Sequence, residues 1–340
     1  MTGLLHNSAD KKIYFDSRWL GNHGIGRFAQ ELLQRLDPPS QLTGRLKPTD
    51  PLDVFYLSFK VLVSRHAVWY SPGYNAPLFG LARYVLTIHD LNHVDQPANS
   101  SPLKRLYYRI VMRNACRRAA RVLTVSEYSR GRIVEWSGVD PARVVNVGNG
   151  VSDAFSPEAV PYRPGFPYLL CVGNRKGHKN EERLLAAFAA AAIDASIRLA
   201  FSGPASQQLL ALAGSLGVSD RVLFLGRIEE EQLPGIYRGA LALLFPSLYE
   251  GFGLPVLEAM ASGIPVLTSN RTALPEVAGD AALLVDPTDT PAISAAIERI
   301  VADESLRGKL VHRGLQRVKL FSWDAVAARV QSVLNEVISA

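Results

Sequence analysis

Short runs of β-branched and aromatic residues recur along the chain, separated by polar turns. In the first half the clearer runs are 12–15, 67–70, 84–88, 121–125 and 144–147, and apolar residues at helical spacing fill 25–36 and 101–119. The runs are apolar throughout instead of alternating, which is the pattern of strands covered on both faces. Such strands, alternating with helices, predict a parallel sheet with helices on each side. A Pro-rich stretch at 156–167 interrupts the pattern and marks a domain boundary. The alternation then restarts, with strands near 168–172, 197–201, 221–225, 241–245, 264–268 and 282–285. Helices are expected near 181–193, 205–216, 230–239, 255–262, 289–302 and 304–319, and a last amphipathic one at 321–337. The reading is α/β, with two doubly wound domains.

A length of 340 residues agrees with two cores. With 48% hydrophobic and 20% charged residues the composition is that of a globular protein, and no window approaches a membrane span. Asp10, Lys11 and Lys12 stand where a secretory signal needs an apolar stretch. The two cysteines, Cys116 and Cys171, make neither a disulfide framework nor a metal cluster. These features predict a cytoplasmic protein. Charge changes the picture in one respect: residues 1–160 hold 20 Lys and Arg against 13 Asp and Glu, and the remainder 17 against 18. The basic half predicts an anionic partner.

In doubly wound sheets ligands sit outside the carboxyl ends of the strands, which points to the loops 173–180 and 247–254. The second, in SLYEGFGLPVLEAM at 247–260, has Gly251 and Gly253 for close backbone approach and Pro255 for a helix start. Glu250 then lies in the loop and Glu258 one turn into the helix, at an N-terminus suited to phosphate. Spacing alone also fits a solvated loop residue and a favourable helix-start residue. The first loop, GNRKGHKN at 173–180, is basic, with Asn180 suited to an N-cap and Glu181 and Glu182 to the first turn. His89 and Asp90 directly follow the 84–88 strand, and a lone His is more often structural than chemical. Gly24, Gly26 and Ala29 form G-x-G-x-x-A before a helix, a dinucleotide fingerprint that lacks its acidic partner, since neither Asp50 nor Asp53 ends a convincing strand.

The block FPSLYEGFGLPVLEAMASGIPV at 245–266, with Glu250 and Glu258 as E-x7-E, and the block LPEVAGDAALLVDP at 274–287 resemble the retaining GT-B glycosyltransferases of family 4, including the mannosyltransferases. The resemblance implies two Rossmann-like domains facing each other across a cleft: an acceptor-side domain at 1–160 with 322–340, and a nucleotide-sugar domain at 161–321. It implies donor contacts from Gly24, Gly26, Arg175, Lys179, Glu250, Gly251, Phe252, Gly253, Leu254 and Glu258, with Glu258 on the ribose and Glu250 on the sugar. It assigns catalytic roles to His89, Lys179 and Glu250, with Asp90 orienting His89. Asn174 stands where the family commonly has Arg, so the second phosphate cation is Arg175, with Lys176 and His178 as competitors.

The implied activity is retaining transfer of a hexose, mannose from GDP-mannose, to a glycan or lipid-linked glycan in bacterial surface polysaccharide synthesis, with no metal or other cofactor. A UDP-sugar donor is the alternative within the family. An NAD-dependent oxidoreductase, a glycoside hydrolase and a non-catalytic sugar-nucleotide binder are the alternatives outside it. Finally, Arg105, Arg109, Arg113, Arg117 and Arg121 recur every four residues in the 101–119 region. In one helix they make a winding basic stripe, read either as a solvated face or as a peripheral contact with anionic lipid on the inner face of the membrane. Nucleic acid is not expected, because no binding motif accompanies the stripe.

Overall fold

The computed structural model describes residues 12–340 apart from 22, 38, 65 and 97–99. The segment read above for a targeting signal therefore lies, up to residue 11, outside the described residues. The chain forms two compact units, Met1–Asn149 with Trp323–Ala340, and Gly150–Ser322.

The first unit begins with β1 (Ile13–Asp16), α1 (Gly24–Leu33), β2 (Ser40–Leu42), α2 (Asp53–Val63), β3 (Val68–Ser71) and β4 (Tyr84–Thr87). It continues with α3 (Asn92–Asp95), α4 (Pro102–Tyr107), a π-helical turn at Tyr108–Met112, α5 (Arg113–Arg118), β5 (Arg121–Thr124), α6 (Glu127–Ser137) and β6 (Val144–Asn146). The strands lie in the order β2-β1-β3-β4-β5-β6, all parallel. Every residue of β3 and β4 is buried, as the unbroken apolar runs require.

The second unit holds β7 (Tyr168–Cys171), α7 (Glu181–Ala190), β8 (Arg198–Phe201), α8 (Gln207–Ser215), β9 (Val222–Phe224), α9 (Leu233–Gly239) and β10 (Ala242–Phe245). Then come α10 (Leu254–Ala261), β11 (Val266–Ser269), α11 (Leu274–Ala278), β12 (Leu283–Val285), α12 (Thr290–Ala302) and α13 (Glu304–Val318). Its parallel sheet runs β12-β11-β10-β7-β8-β9, the doubly wound order in which the first strand lies centrally. The final helix α14 (Trp323–Ser339) packs in the first unit, with Trp323 edge-on to Phe28 and Arg329 donating to the Val147 carbonyl at 2.8 Å.

The division falls at 149/150, ahead of the Pro-rich stretch and not at 160/161. The reason is packing: Phe155 stands edge-on to Tyr237, the Pro157 carbonyl accepts from Arg238 at 2.8 Å, and the Tyr162 amide donates to the Gly235 carbonyl. The stretch is thus bound to α9 of the second unit.

Candidate active site

In the second sheet the winding reverses between β7 and β10, and a crevice at such a switch point is where doubly wound sheets take ligands. The two loops singled out from sequence, after β7 and after β10, flank that point and are tied together. The Leu248 amide donates to the His178 carbonyl at 2.8 Å. The Asn180 side-chain amide donates to the Pro246 carbonyl at 3.0 Å and the Pro287 carbonyl at 2.7 Å. Asn180 makes no side-chain cap on α7, contrary to expectation, because its left-handed backbone turns the amide toward these two loops. Lys179 Nζ lies 2.6 Å from Glu250 Oε1 and 4.9 Å from the centre of the Phe245 ring. Among the described residues the non-glycine positions with positive φ are Arg175, Asn180 and Thr272. Two of them border this ion pair: Asn180 follows Lys179 directly, and the Thr272 hydroxyl accepts from the Glu250 amide at 3.1 Å. Strained backbone held this way concentrates at functional sites.

Arg175, the expected second phosphate cation, is paired within its own unit. Its guanidinium donates to Glu181 at 2.6 Å and to the Ser202 carbonyl at 2.6 Å, and lies over the Phe201 and Phe224 rings. Burial pushes the Glu181 carboxyl up, against the opposing pull of Arg175. Arg175 and Lys176 both line an open cavity of about 500 Å³, beside Gly177, Arg183, Gln208 and Thr290.

Beyond the crevice, Gly253 has φ 110°, and a Cβ there would meet Leu274 at 2.6 Å, so only glycine fits before Leu254 starts α10. Gly251 and Phe252 are buried in this turn, with Phe252 edge-on to Phe321. Glu258 is buried on α10 and accepts from the Tyr237 hydroxyl at 2.7 Å. Tyr237 was not anticipated; a tyrosine in a predicted helix gives no sign of which carboxylate it will hold.

In the first sheet the reversal lies between β1 and β3. The glycine loop follows β1, where His23 Nδ1 accepts from the Gly26 amide at 3.0 Å and caps α1. A Cβ on Gly26 would stand 2.0 Å from the Gly21 carbonyl oxygen, whereas Gly24 faces open space. His89 follows β4, donates through Nε2 to the Pro72 carbonyl at 2.8 Å and packs edge-on to Phe28. That bond leaves Nδ1 as the acceptor nitrogen. Burial holds the His89 imidazole below its ordinary pKa.

Asp90 does not orient His89: its carboxylate accepts from the Asn92 amide at 2.9 Å, closing the turn into α3. Sequence reasoning missed a buried network here. Arg18 pairs with Asp16 at 2.7 Å and with Asp53 at 2.6 Å, and Asn75 donates to both carboxylates at 2.9 Å. Asp53 had been weighed only as a ribose-binding acid; charged residues at both ends of a strand-loop unit were the available signal.

The basic stripe is not continuous. The π-helical turn at Tyr108–Met112 shifts the register, and Arg121 lies on β5, bonded to the Ala120 carbonyl. Arg117 donates to the Ser137 carbonyl, and the Arg113 Nε is buried. Arg105, Arg109 and Arg117 are exposed.

Residues 154–317 match the family Glycosyl transferases group 1, and residues 24–150 match the Glycosyl transferase 4-like domain. The chain is 33% identical over 280 residues to O-antigen chain mannosyltransferase B of Escherichia coli, covering 76% of this chain and 71% of that protein. It is a group 1 glycosyltransferase. The glycosyltransferase is also 32% identical to the MMP alpha-(1->4)-mannosyltransferase of Mycolicibacterium hassiacum, over 70% of this chain and 60% of that one. In structure it is similar to sucrose-phosphate synthase from Thermosynechococcus elongatus, with TM-score 0.73 and 21% identity, over 96% of this chain and 99% of the other. That likeness gives the GT-B fold.

A glycosyltransferase leaves no role for the dinucleotide reading of Gly24 and Gly26. Among the described residues no group of His, Cys, Asp and Glu could hold a metal ion, and no helix is long and apolar enough to cross a membrane.

Proposed function

We propose that this glycosyltransferase transfers mannose from GDP-mannose, with retention, to a glycan or lipid-linked glycan acceptor in the synthesis of a bacterial surface polysaccharide at the inner face of the membrane. The observation that carries the reading is the 33% identity with an O-antigen mannosyltransferase across most of both chains. The Lys179–Glu250 pair at the switch point supplies the chemistry. On donor binding Lys179 exchanges Glu250 for a diphosphate oxygen, and Glu250 accepts from a sugar hydroxyl. Glu258, held by Tyr237, accepts from the ribose. The bond from C1 to the diphosphate oxygen breaks with its electrons on the diphosphate. The acceptor oxygen then bonds C1 from the same face, and its proton passes to the departing phosphate oxygen. Lys179 and the N-terminus of α10 offset the developing charge, which is where most of the rate gain arises. The reading includes no metal, so turnover is expected to survive excess chelator.

The test is thermal stability with GDP, UDP, GDP-mannose or UDP-glucose, since a ligand that binds only the folded chain raises stability by mass action. A shift with the GDP ligands is expected. A shift with the UDP ligands alone transfers the reading to a UDP-sugar donor, and no shift with any nucleotide overturns it.

A further inference from the structure

Helix α2 is apolar on both sides. Val54, Leu57 and Val61 enter the core, while Phe55 (64% exposed), Phe59 (63%), Leu62 and Val63 face outward, preceded by exposed Leu52. Exposed Phe79 extends the same surface, since its segment packs on α2 through the Leu78 amide, which donates to Ser58 Oγ at 2.8 Å. A surface helix ordinarily turns charges outward, and an apolar patch of this extent marks a contact surface.

Helix α4 and the π-helical turn after it belong to the same core layer as α2. The segment between them is bound on the other side by Tyr107, whose hydroxyl donates to the Tyr74 carbonyl at 3.2 Å. This second helix adds exposed Leu103, Leu106 and Ile110. Charge then distinguishes the occupant. Residues 96–126 contain seven Lys and Arg and neither Asp nor Glu, and Lys104, Arg105 and Arg109 are exposed among the leucines. Arg45 and Lys47 are exposed on the segment leading into α2.

We infer that this face, formed by α2, Phe79 and α4, docks on an anionic lipid bilayer. The phenylalanine and leucine side chains enter the acyl boundary while the Lys and Arg heads meet lipid phosphates. A second copy of the chain fits poorly, because a two-fold contact sets the basic residues against themselves. The inference rests on the proposed lipid-linked acceptor and places the membrane contact on two helices in place of a single arginine stripe.

Flotation of the full chain with vesicles tests it, in the absence of nucleotide. Binding is expected to vesicles of phosphatidylglycerol with phosphatidylethanolamine, and not to phosphatidylcholine alone. Phe55→Ser with Phe59→Ser should weaken binding roughly tenfold or more, since two buried aromatic anchors are lost. Arg105→Glu with Arg109→Glu should remove the preference for anionic lipid. All four side chains are exposed, so an unchanged Tm and unchanged stabilisation by GDP show that the variants fold. Equal flotation of wild type and both variants overturns the inference. So does a wild-type dimer that the Phe55→Ser, Phe59→Ser pair dissociates without any vesicle binding. Flotation that behaves as expected in a chain no nucleotide stabilises sinks the glycosyl-transfer reading alone.

Discussion

Lys179 and Glu250 stand 71 positions apart in the chain and 2.6 Å apart in space, each largely shielded from water. Shielding strengthens their attraction and gives the ammonium a fixed position to present to a phosphate. Lys179→Ala is expected to lower turnover by about 100-fold or more, the loss typical of removing one preorganised stabilising group. Donor consumption measures it, and near-normal turnover would remove Lys179 from the mechanism. Tyr237 acts one step back, by holding Glu258. Tyr237→Phe deletes one hydrogen bond to a charged group, worth about 1.5–3 kcal/mol, so donor KM should rise with little change in kcat. A fall in kcat at constant KM would count against a positioning role. His89 sets a pH dependence. Its folded pKa lies below the ordinary 6.5, so the unfolded chain binds more protons than the folded one, and the stability of the neutral ring is lost as pH falls through 6.5 toward the folded value. His89→Gln should flatten Tm against pH in that acid window; an unchanged slope rules His89 out as its source.

At the scale of elements, the glycine loop entering α1 separates two residues that the motif treats alike. Gly26 meets the backbone of Gly21, and Gly24 meets nothing. Gly26→Ala must push the helix away from the loop, at a cost of about 1–3 kcal/mol as in other overpacked sites, whereas Gly24→Ala should leave Tm nearly unchanged. Equal Tm values for the two variants would contradict the close contact. Element legibility followed burial. Runs buried on both faces, such as β4 and β10, read clearly from sequence, whereas β2 buries only Leu42 and was not anticipated. Helix α2 also escaped notice, because its outward phenylalanines erase the polar face that marks a helix. Helix α6 buries Ser129, Ile133 and Ser137, too few apolar positions to show a period. The helix expected at 101–119 is real but broken by the π-helical turn, which no local sequence signal announces.

For the whole molecule, two sheets with different strand orders each carry a switch point, and the loops proposed to bind the donor belong to Gly150–Ser322. GDP should therefore slow amide hydrogen exchange at 173–180 and 247–258 more than at any peptide of the first unit; protection confined to the first unit would contradict the assignment. The two-domain α/β plan, the positions of the principal strands along the chain and the two loops with their carboxylates and lysine were legible in the sequence, because apolar periodicity and glycine placement are local consequences of burial. Which charge meets which was decided only by tertiary structure. Arg175 turned to Glu181, Asp90 closed its own turn while Pro72 held His89, and Arg18 gathered Asp16 and Asp53. Folding brings several candidate partners within reach of each ionisable group, and the pairing is settled by which of them the packed backbone places at hydrogen-bonding distance, a choice that spacing along the chain does not encode.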